Sequence, residues 1–515
     1  MGVLPSSHLA SLPRPSAYIL DLTMLPALHV FGVLLILIWL IYKLVMTPAF
    51  SSPLSKLPAA HWSSHLSARW FDRQCATFGE LKTLYATHQR LGQIVRLGPN
   101  EVSVVSEEGL KKVYTAGLDK SNWYDSFRVY GVQNLVCTLD HKTHSAVRKT
   151  IAGLYTKSYL QHSGALDGLS RRIVVEGLLP GISRDGCGVQ GMDVVKLFEC
   201  VGVDFISGYV FGATVGTDFL NDQYGRDRYF GEWERLRETP SLTEQPIMEA
   251  LFMDMCKAAV ASGKDSVAVK MHQELSSKAL QWNLSEEEVM TRCASEMVDH
   301  IIATQETNTV TLTYILYRLS QHPELQEQLR DELRASNSTI AHGGSLNLSP
   351  SARIDTLPLL HAIITETLRL HAANPARMRR VSPPAGLDLH GVFIPRDTII
   401  STNAYCLHRN ADVFPRPFEW LPERWLAPPN GKTNASGTPT MRRWFWAFGS
   451  GSRGCVGQNF ALQIIKLAVA AIYSNYTTVI VNEDGIEQSD SYNSGPVSNK
   501  LILRFVPMRE ADVGN

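Results

Sequence analysis

The pattern of apolar and polar positions divides the chain into one hydrophobic run near its start and a long mixed region after it. Residues 25 to 42 carry no charge, and thirteen consecutive apolar positions run from Val30 to Tyr42. Extended to Met46, with Lys43 the one charge, the stretch is about long enough for a single membrane-spanning helix. A core helix would not need so long an unbroken apolar run, and Lys43-Leu44-Val45-Met46 is a poor signal-peptide cleavage site. Pro48, Pro53 and Pro58 follow, which predicts a stiff, non-helical spacer. The organisation expected is an N-terminal tail over 1–24, a transmembrane anchor over 25–46, a proline-containing linker over 47–60 and one folded unit over 61–515. Charges downstream of the anchor are positive (Lys43, Lys56, Arg69, Arg73) and upstream there are only Arg14 and Asp21, which leaves the folded unit cytosolic. Sequons such as Asn283-Leu284-Ser285 are then chance matches, since acceptors must face the lumen.

Within the mixed region, Ser285-Glu286-Glu287-Glu288 is a capping box, serine at the cap and glutamate three residues later. No proline follows until Pro323, so a helix of roughly 35 residues, about 50 Å, is expected. Met297, Val298, Ile301, Ile302, Val310, Leu312, Ile315, Leu316 and Leu319 make it too apolar for a surface position. In its middle stands Ala303-Thr304-Gln305-Glu306-Thr307, where an acid and an alcohol in a buried helix need a reason. One reason is packing, with hydroxyls bonded back to the preceding turn. Residues 359 to 371 read as an amphipathic helix in which Glu366 and Arg369, three apart, can pair. A further helix begins at Gln458.

Composition narrows the class. A 44% hydrophobic content with 19% charged residues belongs to a globular chain with a large core. Basic and acidic residues balance at 49 each, against a nucleic-acid binder driven by bulk charge. The eight cysteines are scattered, with no C-x-x-C pair, which suits a reducing compartment.

The candidate chemistry concentrates in Phe448-Gly449-Ser450-Gly451-Ser452-Arg453-Gly454-Cys455-Val456-Gly457. Glycines at 449, 451, 454 and 457 let the backbone turn tightly and approach a flat ligand. They also leave amide N–H groups to point at the sulfur. A cysteine at a helix N-terminus beside an arginine is expected to be held as thiolate by the dipole and the cation. Such a thiolate is an electron-rich axial ligand for haem iron. The spacing F-x-x-G-x-R-x-C-x-G resembles the haem-binding loop of the cytochrome P450 family.

That resemblance implies a mainly α fold with small β-sheets, with haem between the long central helix and the helix after the cysteine loop. It makes Cys455 the axial iron ligand, with Phe448, Gly451, Arg453 and Gly457 around the cofactor. His144 and Arg148, in His144-x-x-x-Arg148, and Arg380 would bind haem propionates, although Arg377 and Arg379 stand close enough to compete for that task. Ala303–Thr307 is similar to the family's A/G-G-x-D/E-T segment. There Thr307 would hydrogen-bond the bound oxygen and Glu306 would relay protons from solvent. The usual glycine is Thr304 here. Ala303, Thr304, Ala373 and Asn374 would line the substrate pocket. Glu366, Arg369 and Arg424 of Pro422-Glu423-Arg424-Trp425 resemble the family's scaffold network.

Together these imply a haem b monooxygenase using O₂ and NADPH-cytochrome P450 reductase on a lipophilic small molecule, without nucleic acid. Its expected location is the endoplasmic reticulum membrane, as a single-pass protein. Arg96-Leu97-Gly98-Pro99-Asn100-Glu101-Val102 resembles the first strand region of filamentous-fungal members, which suggests secondary metabolism of a polyketide, terpenoid or alkaloid scaffold. The alternatives are a haem-thiolate isomerase or dehydratase, which lacks the acid–alcohol pair, and a non-catalytic haem protein.

Overall fold

Ser285 caps the central helix as its sequence requires. Its hydroxyl accepts the Glu288 N–H at 3.2 Å, and the Glu288 carboxylate accepts the Ser285 N–H at 2.7 Å. The helix then runs unbroken over Glu286–Ser320, 35 residues. The structure, a computed structural model, describes residues 24–238, 246–342, 353–426 and 437–508.

The central helix packs along a second buried helix, Val194–Phe211. Gly202 permits the close crossing, because a Cβ there would lie 3.2 Å from the Gln305 Cα. This brings the crossing point to the Ala303–Thr307 segment. Helices Pro358–Leu370 and Gln458–Asn475 pack against the central helix and complete a helical core.

The strands are short: β1 (Ile94–Gly98), β2 (Glu101–Val104), β3 (Met192–Asp193), β4 (Arg377–Val381), β5 (Leu387–Leu389), β6 (Val392–Ile394), β7 (Ile399–Asn403), β8 (Tyr476–Asn482) and β9 (Ile502–Pro507). The main sheet has order β1-β2-β7-β4, with β2 parallel to β7 and the other pairs antiparallel. It covers a second, smaller core that includes Val102, Ile400 and Trp446. Strands β8 and β9 pair antiparallel, and the segment between them reaches back to the central helix. The expectation of a mainly helical fold with small sheets holds.

The start of the chain differs from expectation. The apolar helix Met24–Ile41 does not stop before the prolines; it continues as a π-helical segment, Tyr42–Ser51. A proline cannot donate the amide that closes an α-turn, and the wider register carries the backbone past position 48. Its side chains from Val30 to Met46 are largely exposed, and His29–Ser51 is the one helix among the described residues long and apolar enough to cross a membrane. The second half of the expected linker is no spacer. Pro53 opens a short 3₁₀ turn, and Leu54, Leu57 and Ala60 are buried in the sheet-side core. Arg96 N–H donates to Pro58 O and Ala60 N–H to Arg96 O, both at 2.9 Å, so this segment joins β1.

Deletion through Ser51 should therefore release the protein from carbonate-washed membranes and leave its melting temperature nearly unchanged. Deletion through Ala60 should cost about 4 kcal/mol or more, from the loss of two buried leucines. Equal melting temperatures for the two truncations would show that residues 53–60 do not belong to the folded unit.

Candidate functional site

The cysteine loop is a set of backbone turns held in place by its neighbours. Gly449 and Gly451 adopt φ of 66° and 68°, and a Cβ on Gly451 would lie 2.4 Å from the Tyr114 carbonyl oxygen. Gly451 is thus needed for the turn and for packing on Tyr114; it does not line the cavity, as expected for a cofactor contact. Cys455 N–H donates to Phe448 O at 2.8 Å, closing the loop just before helix Gln458–Asn475. The amides of Gly457 and Gln458 lie close enough to the sulfur to favour its charged form. The sulfur lies deep in the fold yet opens into a cavity of about 300 Å³.

Two expectations about this sulfur change. The cation beside it is Arg148, not Arg453. Arg453 turns away within the 3₁₀ turn Gly451–Arg453 and donates to the carbonyls of Thr138, at 3.0 Å, and Leu139. Arg148 instead reaches Gly454 O at 2.7 Å. The thiol is also held above its usual value, because burial outweighs the two amides and Arg148. A bound metal would act against that shift.

Helix His141–Ile151, capped by Asp140, places His144 and Arg148 one turn apart on the cavity wall. Strand alternation resolves the choice among three arginines. Arg377 forms ion pairs with Glu80 at 2.8 Å and with Glu101, and Arg379 lies over the Trp123 ring. Met378 and Arg380 point into the cavity. Lys120, which no motif marked, joins them there. Burial and the charges of Arg380 and Arg453 push its ammonium down to about 7, and burial pushes His144 down to about 3. Arg453 Nε and His144 Nδ1 are buried without a hydrogen-bond partner among the described residues. Cations crowded in this way, with donors to spare, fit a large anionic ligand such as a porphyrin with two carboxylates. Phe448 and Gly457 line the same space, and a Cβ on Gly457 would meet nothing within 4 Å.

Ala303, Thr304, Thr307, Ala373 and Asn374 form further parts of the cavity wall. Thr307 Oγ1 donates to Ala303 O at 2.8 Å, so its hydroxyl is bonded back to the preceding turn. Glu306 is not in the wall. Its carboxylate accepts from Asn493 Nδ2 at 2.6 Å, and Asn493 Oδ1 accepts from Asn374 Nδ2, also at 2.6 Å. The acid is thereby tied to the cavity through two amides. Asn493 and Tyr492 come from the β8–β9 segment and carry no local sequence signal that would mark them.

Glu366, fully buried, anchors the scaffold. It accepts from Arg369 Nε and Nη2 at 2.8 and 2.7 Å, Arg424 Nε at 3.0 Å, Trp425 Nε1 at 2.8 Å and Leu421 N–H at 2.9 Å. Arg369 in turn donates to the carbonyls of His408, Pro417 and Glu419. His408, held neutral by burial and by Arg369, donates from Nδ1 to Arg369 O and accepts Trp446 N–H at Nε2. Trp446 stands at the entrance to the cysteine loop, so the network expected from the sequence connects to the loop through His408.

Comparison with known proteins gives the family. The cytochrome P450 family pattern matches residues 74–502. A cytochrome P450 monooxygenase of Aspergillus versicolor, avaI, is 31% identical over 393 residues, covering 72% of this chain and 92% of that protein. The monooxygenase aneF of Aspergillus aculeatus is 26% identical, covering 87% and 93%. A pisatin demethylase of Fusarium vanettenii is 27% identical, covering 87% of each.

Replacing Glu366 with Ala leaves two buried arginines without their carboxylate, and should cost about 3–5 kcal/mol. Urea unfolding measures this; a loss below 1 kcal/mol would mean that the network is dispensable.

Proposed function

The chain belongs to the cytochrome P450 family, and on that premise we propose that it is a membrane-anchored haem-thiolate monooxygenase acting on a lipophilic small molecule. The balanced reaction is RH + O₂ + NADPH + H⁺ → ROH + H₂O + NADP⁺, with electrons delivered by NADPH-cytochrome P450 reductase. One observation carries the reading most: the Cys455 sulfur, the cationic wall and the Thr307 segment all border one cavity. The family's haem is bound through a cysteine thiolate, and haem b held by Cys455 would supply the oxygen-activating chemistry.

This chain's residues would supply the rest. Arg148, Arg380, Arg453, Lys120 and His144 would hold the propionates, and the amides of Gly457 and Gln458 would stabilise charge on the sulfur. Thr307 Oγ would exchange its bond to Ala303 O for one that presents a proton to the reacting oxygen. Glu306 would replenish that proton from the side bearing Asn493. Thr304, in place of a glycine, would narrow the groove or add a second hydroxyl to the relay. Ala303 and Ala373 would leave room for the substrate beside Asn374.

The apolar helix supports a single-pass anchor, with the endoplasmic reticulum as its membrane and the folded unit on the cytosolic side. The fungal monooxygenase relatives support a role in secondary metabolism, with a polyketide, terpenoid or alkaloid scaffold as substrate.

Cys455→Ala protein, reduced and exposed to carbon monoxide, should lack the red-shifted thiolate Soret band. Survival of that band would exclude Cys455 as the ligand.

Thr307→Ala should keep haem and substrate affinity while product formed per NADPH falls several-fold and hydrogen peroxide is released. The Thr304→Ala, Thr307→Ala double variant should lose on the order of tenfold or more. Full coupling in both variants would reduce this segment to packing.

A further inference from the structure

Two cysteines meet in the core outside the cavity. Cys256, on helix Pro246–Ser262, directs its thiol at Cys293 of the central helix, with 3.7 Å between the sulfurs. Cys293 in turn donates to Ala268 O at 3.4 Å, at the start of helix Val267–Trp282. Both thiols are wholly buried, and neither borders the cavity. All eight cysteines are free, and no other two of them share a hydrogen bond among the described residues. Packing does not call for this arrangement, because small apolar side chains fill such a space equally well.

The geometry suits a covalent link. A disulfide bond is about 2.05 Å long, so the sulfurs stand roughly 1.7 Å short of bonding distance, on two helices already packed together. The hydrogen bond from Cys256 and burial hold the Cys293 thiol above its usual value, which slows its attack on weak oxidants. The link would also join elements that flank the cavity. Phe252, four residues before Cys256, packs on the Tyr229 ring, and the Tyr229 hydroxyl holds the Gln305 side chain. On the same helix Glu249 O accepts the Tyr130 hydroxyl at 2.6 Å, from the stretch between the cavity residues Tyr124 and Leu135.

We infer that Cys256 and Cys293 form a reversible disulfide under hydrogen peroxide, stapling helix Pro246–Ser262 to the central helix. One cysteine, as thiolate, attacks a peroxide oxygen and becomes a sulfenic acid, with release of water. The second thiol displaces the sulfenic hydroxyl as water and forms the S–S bond. Both sulfurs are oxidised and peroxide is reduced: 2 RSH + H₂O₂ → RSSR + 2 H₂O. A cellular thiol such as glutathione reverses the link by exchange. The source of the peroxide rests on the monooxygenase reading, since uncoupled turnover releases it; the site itself does not. The staple closes a loop of 37 residues and restrains helix Pro246–Ser262 beside the cavity.

The test treats the haem-loaded full-length protein in detergent with diamide, a thiol oxidant that needs no turnover. Free thiols are then alkylated and the peptides mapped by mass spectrometry. The expected product is a Cys256–Cys293 peptide pair lighter by two hydrogens, which dithiothreitol returns to free thiols. Oxidised protein should melt roughly 2–4 °C above the reduced form. Diamide should leave the melting of Cys256→Ala and of Cys293→Ala unchanged. Peroxide generated slowly by glucose oxidase should give the same cross-link. The inference is overturned if both cysteines remain alkylatable under diamide that oxidises glutathione completely, or if the melting shift survives in Cys256→Ala. A cross-link under diamide and none under peroxide overturns the oxidant named. If the alanine variants do not fold, the wild-type peptide map before and after dithiothreitol decides. Protein that loads no haem would overturn the monooxygenase reading and leave the thiol result standing.

Discussion

The Glu366 carboxylate is the interaction on which the rest of the site depends. It is fully buried, and five donors from four residues close on it. A bare carboxylate in such a place would be prohibitively unstable, so the chain segments that supply the donors must assemble around it. Those segments are the helix of Arg369 and the stretch from Leu421 to Trp425. Arg369 then distributes its remaining donors to carbonyls of the 408–419 region, and His408 passes the constraint to Trp446. The cysteine loop is therefore positioned by a polar chain that begins on a different helix.

The cavity places two unfavourable things together. The depth of the site works against a thiolate at Cys455, and burial together with Arg380 and Arg453 lowers Lys120 to about 7. Both would be relieved by one ligand that combines a metal for the sulfur with carboxylates for the cations. Binding and stability are then coupled, since a ligand that binds only the folded state stabilises it by mass action.

The central helix sets the other half of the geometry. Its 35 residues span the core, and the glycine of the crossing helix lets Gln305 approach closely. Tyr229 donates to the Gln305 side chain at 2.7 Å, fixing the far side of the helix while residues 299, 303 and 307 share the cavity face. The 194–211 helix and Tyr229 lie in the part of the chain where no motif could be read. They act through shape, which leaves no local pattern.

Local rules made some features readable from the sequence alone. The capping box at Ser285 and the missing prolines specified the long helix, because caps and breakers act over a few residues. The apolar run specified a candidate span, and the cysteine loop specified its ligand type, because glycine spacing and sulfur chemistry are properties of the segment itself. The pairing of Glu366 with Arg369 was legible from their spacing on one helix face, whereas Arg424 joined them only through the family resemblance. The tertiary structure alone decided which cation stands beside the sulfur, because Arg148 and Arg453 are separated by 305 positions and only packing orders them. It alone separated Arg380 from Arg377 and Arg379, since strand alternation fixes opposite faces but not which face meets the cavity. It also drew Lys120, Tyr492 and Asn493 into the site, and moved residues 53–60 from linker to core. These choices depend on long-range burial, and no short window of sequence contains the partners that determine it.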